Sequence, residues 1–122
     1  MKCLVVVAHP LKESLCNHLA EETIKHLRSK GHELTIKNLY DEDFSPTLTP
    51  AERASYYQAS FDDCLLEKDL AELCTAEMLV LIFPTWWFGF PAVLKGWFDR
   101  VWAPRNAYDH SPDLKGILPK LD

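Results

Sequence analysis

Residues Met78–Trp102, MLVLIFPTWWFGFPAVLKGWFDRVW, constrain this chain more than any other stretch. Met78–Phe83 is an unbroken apolar run, too short for a globular helix and long enough for a fully buried strand. Pro84 stops it, and an aromatic loop follows: Thr85, Trp86, Trp87, Phe88, Gly89, Phe90. Pro91 stands where a helix accepts its first residue, because a missing N–H costs nothing there. Val93, Leu94, Trp97, Phe98, Val101 and Trp102 then recur at helical spacing, which gives that helix one broad core-facing side. A buried strand, an aromatic rim at its carboxyl end and a covering helix suit a flat, apolar ligand. Consecutive aromatics flanked by prolines cannot all face one core. At least one of Trp86, Trp87 and Phe88 is therefore expected at the surface or on a ligand.

The start of the chain points the same way. Leu4–Ala8 is a second short β-branched run, again a buried-strand pattern. His9, Pro10, Ser14 and Asn17 follow, then a helical segment carrying Leu15, Leu19, Ile24 and Leu27 and closed by Lys30 and Gly31. A strand that leads into a helix N-terminus presents free N–H groups and a positive dipole end, the makings of a phosphate site. Ser14 either caps the helix, worth about 1 kcal/mol, or donates to a phosphate oxygen. Both roles stay open.

Glu33–Asn38 alternates polar and apolar, with Leu34 and Ile36 on one face, as in an edge strand. Leu39–Thr49 has loop composition, and Thr49-Pro50-Ala51-Glu52 predicts a helix start, with Tyr56 and Tyr57 on that helix. Ser60-Phe61-Asp62-Asp63 is expected to begin another helix, through Leu65, Leu66, Leu70 and Leu73. The order β-α-β-α-β-α requires right-handed crossovers, so the fold class is α/β, a doubly wound parallel sheet. With only three such strands, Met78–Phe83 is left as an unprotected edge. Asp113–Asp122 reads as the lead-in to a fourth strand. Residues 1–122 are accordingly expected to be the N-terminal part of one domain, truncated after its third βα unit.

The net charge of −5, with both signs interspersed, leaves no basic stripe for nucleic acid or an anionic membrane. No transmembrane-length apolar run is present, and Met1-Lys2 leads straight into a strand, so a cytoplasmic location is expected. Cys3, Cys16, Cys64 and Cys74 lack metal-ligand spacing and are expected to be reduced and buried. Cys16 is flagged because a helix N-terminus lowers a thiol's pKa, with an inert thiol the favoured reading. No metal site, nucleophile triad, GxGxxG or P-loop can be assembled. The histidines His9, His18, His26, His32 and His110 are scattered.

Pro84, Trp87-Phe88-Gly89 and Pro91, followed by Leu94-Lys95-Gly96-Trp97-Phe98-Asp99-Arg100-Val101, resemble the flavin-dependent NAD(P)H:quinone oxidoreductases, relatives of DT-diaphorase. Ala8-His9 with Ser14 and Asn17 resembles that family's pyrophosphate loop, with a departure at Leu15-Cys16-Asn17. The resemblance implies a flavodoxin-like sheet, with flavin at the carboxyl ends of the first and third strands, where the topology switches. FAD is implied as cofactor, with FMN the second choice, and NAD(P)H as co-substrate passing hydride to a quinone. By the same resemblance His9, Ser14, Asn17, Pro84, Thr85, Trp86, Trp87, Phe88 and Gly89 would hold the cofactor, and no side chain would be catalytic in its own right. Backbone N–H groups of Thr85–Gly89 would face the polar edge of the isoalloxazine, and Gly89 would allow close approach. Trp87 and Phe88 would wall the substrate slot, and Tyr108 resembles the aromatic that covers that slot from the partner of a homodimer. An ordinary loop tyrosine is the plainer reading of Tyr108. Gly96 is expected at a close approach, of sheet on helix or of two subunits. Residues 1–122 would supply the pyrophosphate end and one wall of the ring, so turnover by this stretch alone is not expected. The rival readings are a flavin-binding regulatory subunit of a transport system and a partial domain that binds no flavin.

Overall fold

Apolar residues on both faces suit a central strand, and β1 (Lys2–Val7) lies in the middle of a parallel sheet of order β2-β1-β3. The computed structural model describes residues 1–113 and 116–121. β2 (Glu33–Asn38) pairs with β1 from Lys2↔Glu33 to Val7↔Asn38. β3 (Met78–Ile82) pairs with it from Cys3↔Met78 to Val7↔Ile82. Leu4, Val6 and Ala8 join the larger core, with Leu70, Leu94 and Trp97. Val5 and Val7 point the other way, against Ala20 of α1 (Leu15–Ser29).

Ser14 caps α1, its Oγ accepting from the Asn17 N–H, and Gly31 turns the chain away at φ +80°. Of the apolar residues that α1 carries, Leu15 and Leu19 are exposed, while Ile24 and Leu27 pack on the sheet. α2 (Pro50–Ser55) opens with a full capping box between Thr49 and Glu52, and Tyr56 and Tyr57 fall at and just beyond its end. α3 (Glu67–Thr75) begins later than Ser60–Asp63 suggested. The Asp62 N–H donates to Ser55 Oγ at 2.8 Å, which fixes that stretch as a turn on the end of α2. α4 (Ala92–Val101) also starts one residue late, with Pro91 as its buried N-cap.

The apolar strand is not fully buried. Every residue of β3 is half-buried, because no strand pairs with its outer edge among the described residues. β4 (Tyr108–His110) and β5 (Ile117–Pro119) pair antiparallel in a separate hairpin, closed by Ser111 N–H to Gly116 O at 3.0 Å. Leu114, Lys115 and Asp122 lie outside the described residues.

Two buried ion clusters tie the helices to this frame. Lys37 sits on β2 among Glu42, Asp69 and Glu72 at 2.9–3.0 Å. Burial alone would lower its pKa, but these hydrogen bonds outweigh it and hold the ammonium above the usual lysine range. Arg100 of α4 donates to Glu52 of α2 (2.6 Å from Nη2) and to the Ser45 carbonyl (2.7 Å). Burial would raise the Glu52 pKa, yet Arg100 and Thr49 hold it below the usual range. Gly96 is at a close approach, but to the loop before α2. A Cβ there would collide with Pro46, so the close approach is made within this chain and not to the sheet.

All four cysteines are free, but only Cys3 is buried. Burial pushes the Cys16 thiol's pKa up, opposite to the reactive reading of its helix-end position.

Candidate functional site

The two marked strand ends lie side by side. The Ala8 N–H donates to the Ile82 carbonyl at 3.0 Å, extending the β1–β3 pairing into the loops, and the rings of His9 and Trp86 stand 6.1 Å apart. In the first loop, His9 Nδ1 accepts from the Leu11 N–H at 3.1 Å, and Asn17 Nδ2 donates to the Leu11 carbonyl at 2.7 Å. With Ser14 as cap, all three marked residues brace Pro10–Glu13 around the helix start. The N–H groups of Leu15 and Cys16, in the first turn of α1, have no intrahelical acceptor and remain open among the described residues.

In the second loop, the Trp86 N–H donates to the Gly89 carbonyl (3.2 Å) and the Gly89 N–H to the Trp86 carbonyl (3.1 Å). This closes a two-residue turn. Trp87 (φ 50°) and Phe88 (φ 61°) occupy the left-handed region, at a cost of roughly 1–2 kcal/mol each. Their side chains are 96% and 100% exposed. The unusual backbone therefore belongs to the two aromatics rather than to Gly89. A Cβ on Gly89 would meet nothing within 4 Å, so the space beside it is open. The turn also uses up two of the expected donors. Among the described residues, the N–H groups of Thr85, Trp87 and Phe88 are left without acceptors, while those of Trp86 and Gly89 are engaged.

A cavity of 360 Å³ lies against this turn, lined by Phe83, Thr85, Phe88, Gly89 and Phe90. Phe90 stacks on Phe98 of α4 (5.2 Å, 9°) and meets Phe83 edge-on at 5.0 Å, which anchors the exit of the turn. Tyr108 is not part of this group. It lies in β4, beyond the far end of α4, a helix about 15 Å long at 1.5 Å per residue. Its aromatic neighbour is His110 at 5.5 Å. Burial and a hydrogen bond to Tyr108 hold the Tyr56 phenol above its usual pKa, so Tyr108 is engaged within its own chain.

Sequence reasoning missed a second cavity, of 280 Å³, between α1 and β2 beside Lys12 and Asn17. The available signal was the polar ending of β2 at Asn38, followed by Asp41, directly after an apolar alternation. No group of residues able to hold a metal ion occurs among the described residues, and no described helix is long and apolar enough to cross a membrane.

The family model for the flavodoxin-like fold matches residues 1–120. The chain is 34% identical over 105 residues to the uncharacterized NAD(P)H oxidoreductase YcaK of Escherichia coli, covering 85% of this chain and 54% of that protein. It is 32% identical over 128 residues to NAD(P)H dehydrogenase [quinone] 1 of Cavia porcellus, covering 90% and 46%. Among solved structures it resembles the NAD(P)H:quinone oxidoreductase of Methanothermobacter marburgensis, with a TM-score of 0.78 and 32% identity over 90% of this chain and 57% of that one. The chain thus spans about half the length of the curated relatives it matches. The matching fold and the 2-1-3 strand order agree: the chain belongs to the flavodoxin-like family, and the relatives it resembles are named NAD(P)H oxidoreductases and NAD(P)H:quinone oxidoreductases.

Proposed function

We propose that this protein binds a flavin across the ends of β1 and β3 and serves two-electron reduction of a quinone by NAD(P)H. The observation that carries the reading is the Trp86–Gly89 turn. Three unspent N–H donors (Thr85, Trp87, Phe88), open space at Gly89 and an aromatic-lined cavity converge at the switch point. The donor set and the flat apolar walls fit an isoalloxazine. Flavin supplies the hydride chemistry when bound, and the protein supplies position and electrostatics.

In this reading the free N–H groups hold the polar edge of the ring, where negative charge develops on reduction, without reorganising. Trp87 and Phe88, held outward by the turn, exclude water from the substrate slot and align the nicotinamide at about 3–3.5 Å. The open first turn of α1, braced by His9, Ser14 and Asn17, takes the phosphates. Tyr108 would reach a substrate only in a second copy's site, since α4 separates it from its own aromatic turn. A homodimer is proposed on that ground. A cytoplasmic location is proposed with it. The regulatory-subunit reading finds no support, for the relatives named above are oxidoreductases.

The test is flavin retention and reduction. The protein is expected to bind oxidised flavin, with bands that bleach on adding NAD(P)H. Gly89→Val has room for its side chain in the protein itself, so loss of flavin there reports on the ligand. Trp87→Ala is expected to keep flavin but bleach about 100-fold more slowly, the cost of a 1 Å misplacement. Folded protein that stays colourless in added flavin overturns the reading, as do two variants that behave like the parent.

A further inference from the structure

The outer edge of β2 has no pairing strand among the described residues, and its backbone groups alternate in direction. The Glu33 N–H donates to the Met1 carbonyl and the Leu39 N–H to the Val7 carbonyl, both at 3.0 Å. In a parallel ladder this makes Glu33, Thr35 and Lys37 the residues bonded to β1. Leu34, Ile36 and Asn38 therefore direct their N–H and carbonyl groups away from the sheet. A charged side chain commonly guards such an edge. Here Lys37 is held on the opposite face by Glu42, Asp69 and Glu72, so Leu34-Thr35-Ile36 is left without one. Two cavities accompany the edge on the α1 side. One, of 280 Å³, lies at Asn38 toward the carboxyl end of β2, and the other, of 460 Å³, lies beside Lys25 and Arg28. Ile24 and Ile36 wall both, so they form one apolar groove along the strand. At the Arg28 end two cations face one carboxylate, Glu21, and the mouth is net positive. Arg28 has no ion pair among the described residues, and Lys25 has only the exposed Glu22 at 3.7 Å. At the other end Lys12 and Asp41 offset one another.

We propose that this edge binds an extended segment of a partner protein as a fourth strand, one that carries an aliphatic residue and, two positions later, an acidic one. The segment runs antiparallel to β2, the slightly more stable pairing. Its backbone takes the outward groups of Leu34, Ile36 and Asn38, which supplies affinity, while alternate side chains entering the groove supply specificity. Residues opposite those three share their face of the sheet, the face that α1 covers. Successive side chains on that face stand about 7 Å apart, one for each cavity. The aliphatic one fills the space between Ile24 and Ile36 near Asn38, and the acidic one reaches Arg28 and Lys25. Charge separates this occupant from a second copy of the chain. A second β2 would present Leu34, Ile36 and Asn38 to the groove, with no acid for Arg28. The inference is independent of the flavin reading, since β1 lies between β2 and the strand that leads to the aromatic turn.

The experiment titrates the whole protein with the peptide acetyl-Thr-Val-Thr-Glu-Thr-amide, whose threonines favour a strand. Binding is read by calorimetry and its place by amide hydrogen exchange. The parent is expected to saturate at about 1 mM peptide or below. Within β2, exchange should slow at Leu34, Ile36 and Asn38, because the N–H groups of the residues between them are already paired with β1. The same peptide N-methylated at its valine and glutamate lacks the two donors that face β2, and is expected not to bind. Arg28 is exposed on α1, so Arg28→Glu can be made without disturbing the core. It should weaken the peptide about fivefold and bind better than the parent a peptide with lysine in place of the glutamate. Absence of saturation overturns the proposal, as does an N-methylated peptide that binds equally well. Slowed exchange at Met78, Val80 and Ile82 in place of the β2 amides overturns it too, by moving the added strand to β3. Slowing of the three β2 amides by higher protein concentration alone, without peptide, would assign the edge to a second copy and equally overturn it.

Discussion

Glu52 holds two ends of the molecule with one carboxylate. It closes the capping box of α2 through the Thr49 N–H at 2.9 Å and takes the Nε and Nη2 groups of Arg100. Replacing it with Gln leaves a buried guanidinium short of its counter-charge, and breaking such a pair costs about 3–5 kcal/mol, measurable by urea unfolding. The sign with pH follows from the direction of the shift. A carboxylate whose folded pKa is depressed adds stability that is present above its unfolded value, near 4.5, and is lost as pH falls through the folded one. The Gln variant should therefore lose less stability than the parent between about pH 5 and pH 3; equal losses would show that the pair does not govern acid unfolding. The cap itself was legible in Thr49-Pro50-Ala51-Glu52, because its spacing is local. Its partner, 48 residues away, was not. Lys37 was hidden for the same reason: the alternation of β2 reads as one apolar face and one solvated face, and only α3 reveals the acids that meet the lysine.

At the scale of elements, the prolines and aromatics correctly marked an exposed loop, but the geometry of its turn had no sequence signal. A two-residue turn with both positions left-handed is announced by Asn-Gly or Asp-Gly, not by Trp-Phe, and the adjacent Gly89 drew attention away from the strained pair. Strain of this kind persists where function demands it. Phe88→Gly should relax one of the two positions and raise stability by about 1 kcal/mol, seen as a higher thermal midpoint. In the proposed function, the same change removes a slot wall and slows flavin bleaching by NAD(P)H. A variant that is no more stable than the parent would mean that contacts of the Phe88 side chain offset the backbone cost. Helix starts were legible to within a few residues, and the exception, α3, was delayed by a hydrogen bond from the Asp62 N–H to Ser55 Oγ that no local pattern encodes.

For the whole molecule, a parallel sheet with helical crossovers was readable, because crossover rules leave few topologies, and the family resemblance implied its 2-1-3 order. The short hairpin of β4 and β5 was not, since its strands carry no alternation long enough to detect. Among the described residues no strand pairs with the outer edge of β3, which has no charge, proline or bulge to blunt it, and such an edge recruits other strands. Concentration-dependent association is expected in sedimentation velocity, and Val80→Lys should shift the protein toward a single smaller species. Association unchanged by the lysine would locate the contact elsewhere. The tryptophans add a different consequence. Trp97 is sealed in the core at 0% exposure and Trp87 stands in water at the turn, with Trp86 and Trp102 between them. Intrinsic emission is thus a sum of a blue and a red population. The red population belongs to the aromatic turn, so the protein carries its own optical reporter at the place where a ring would dock.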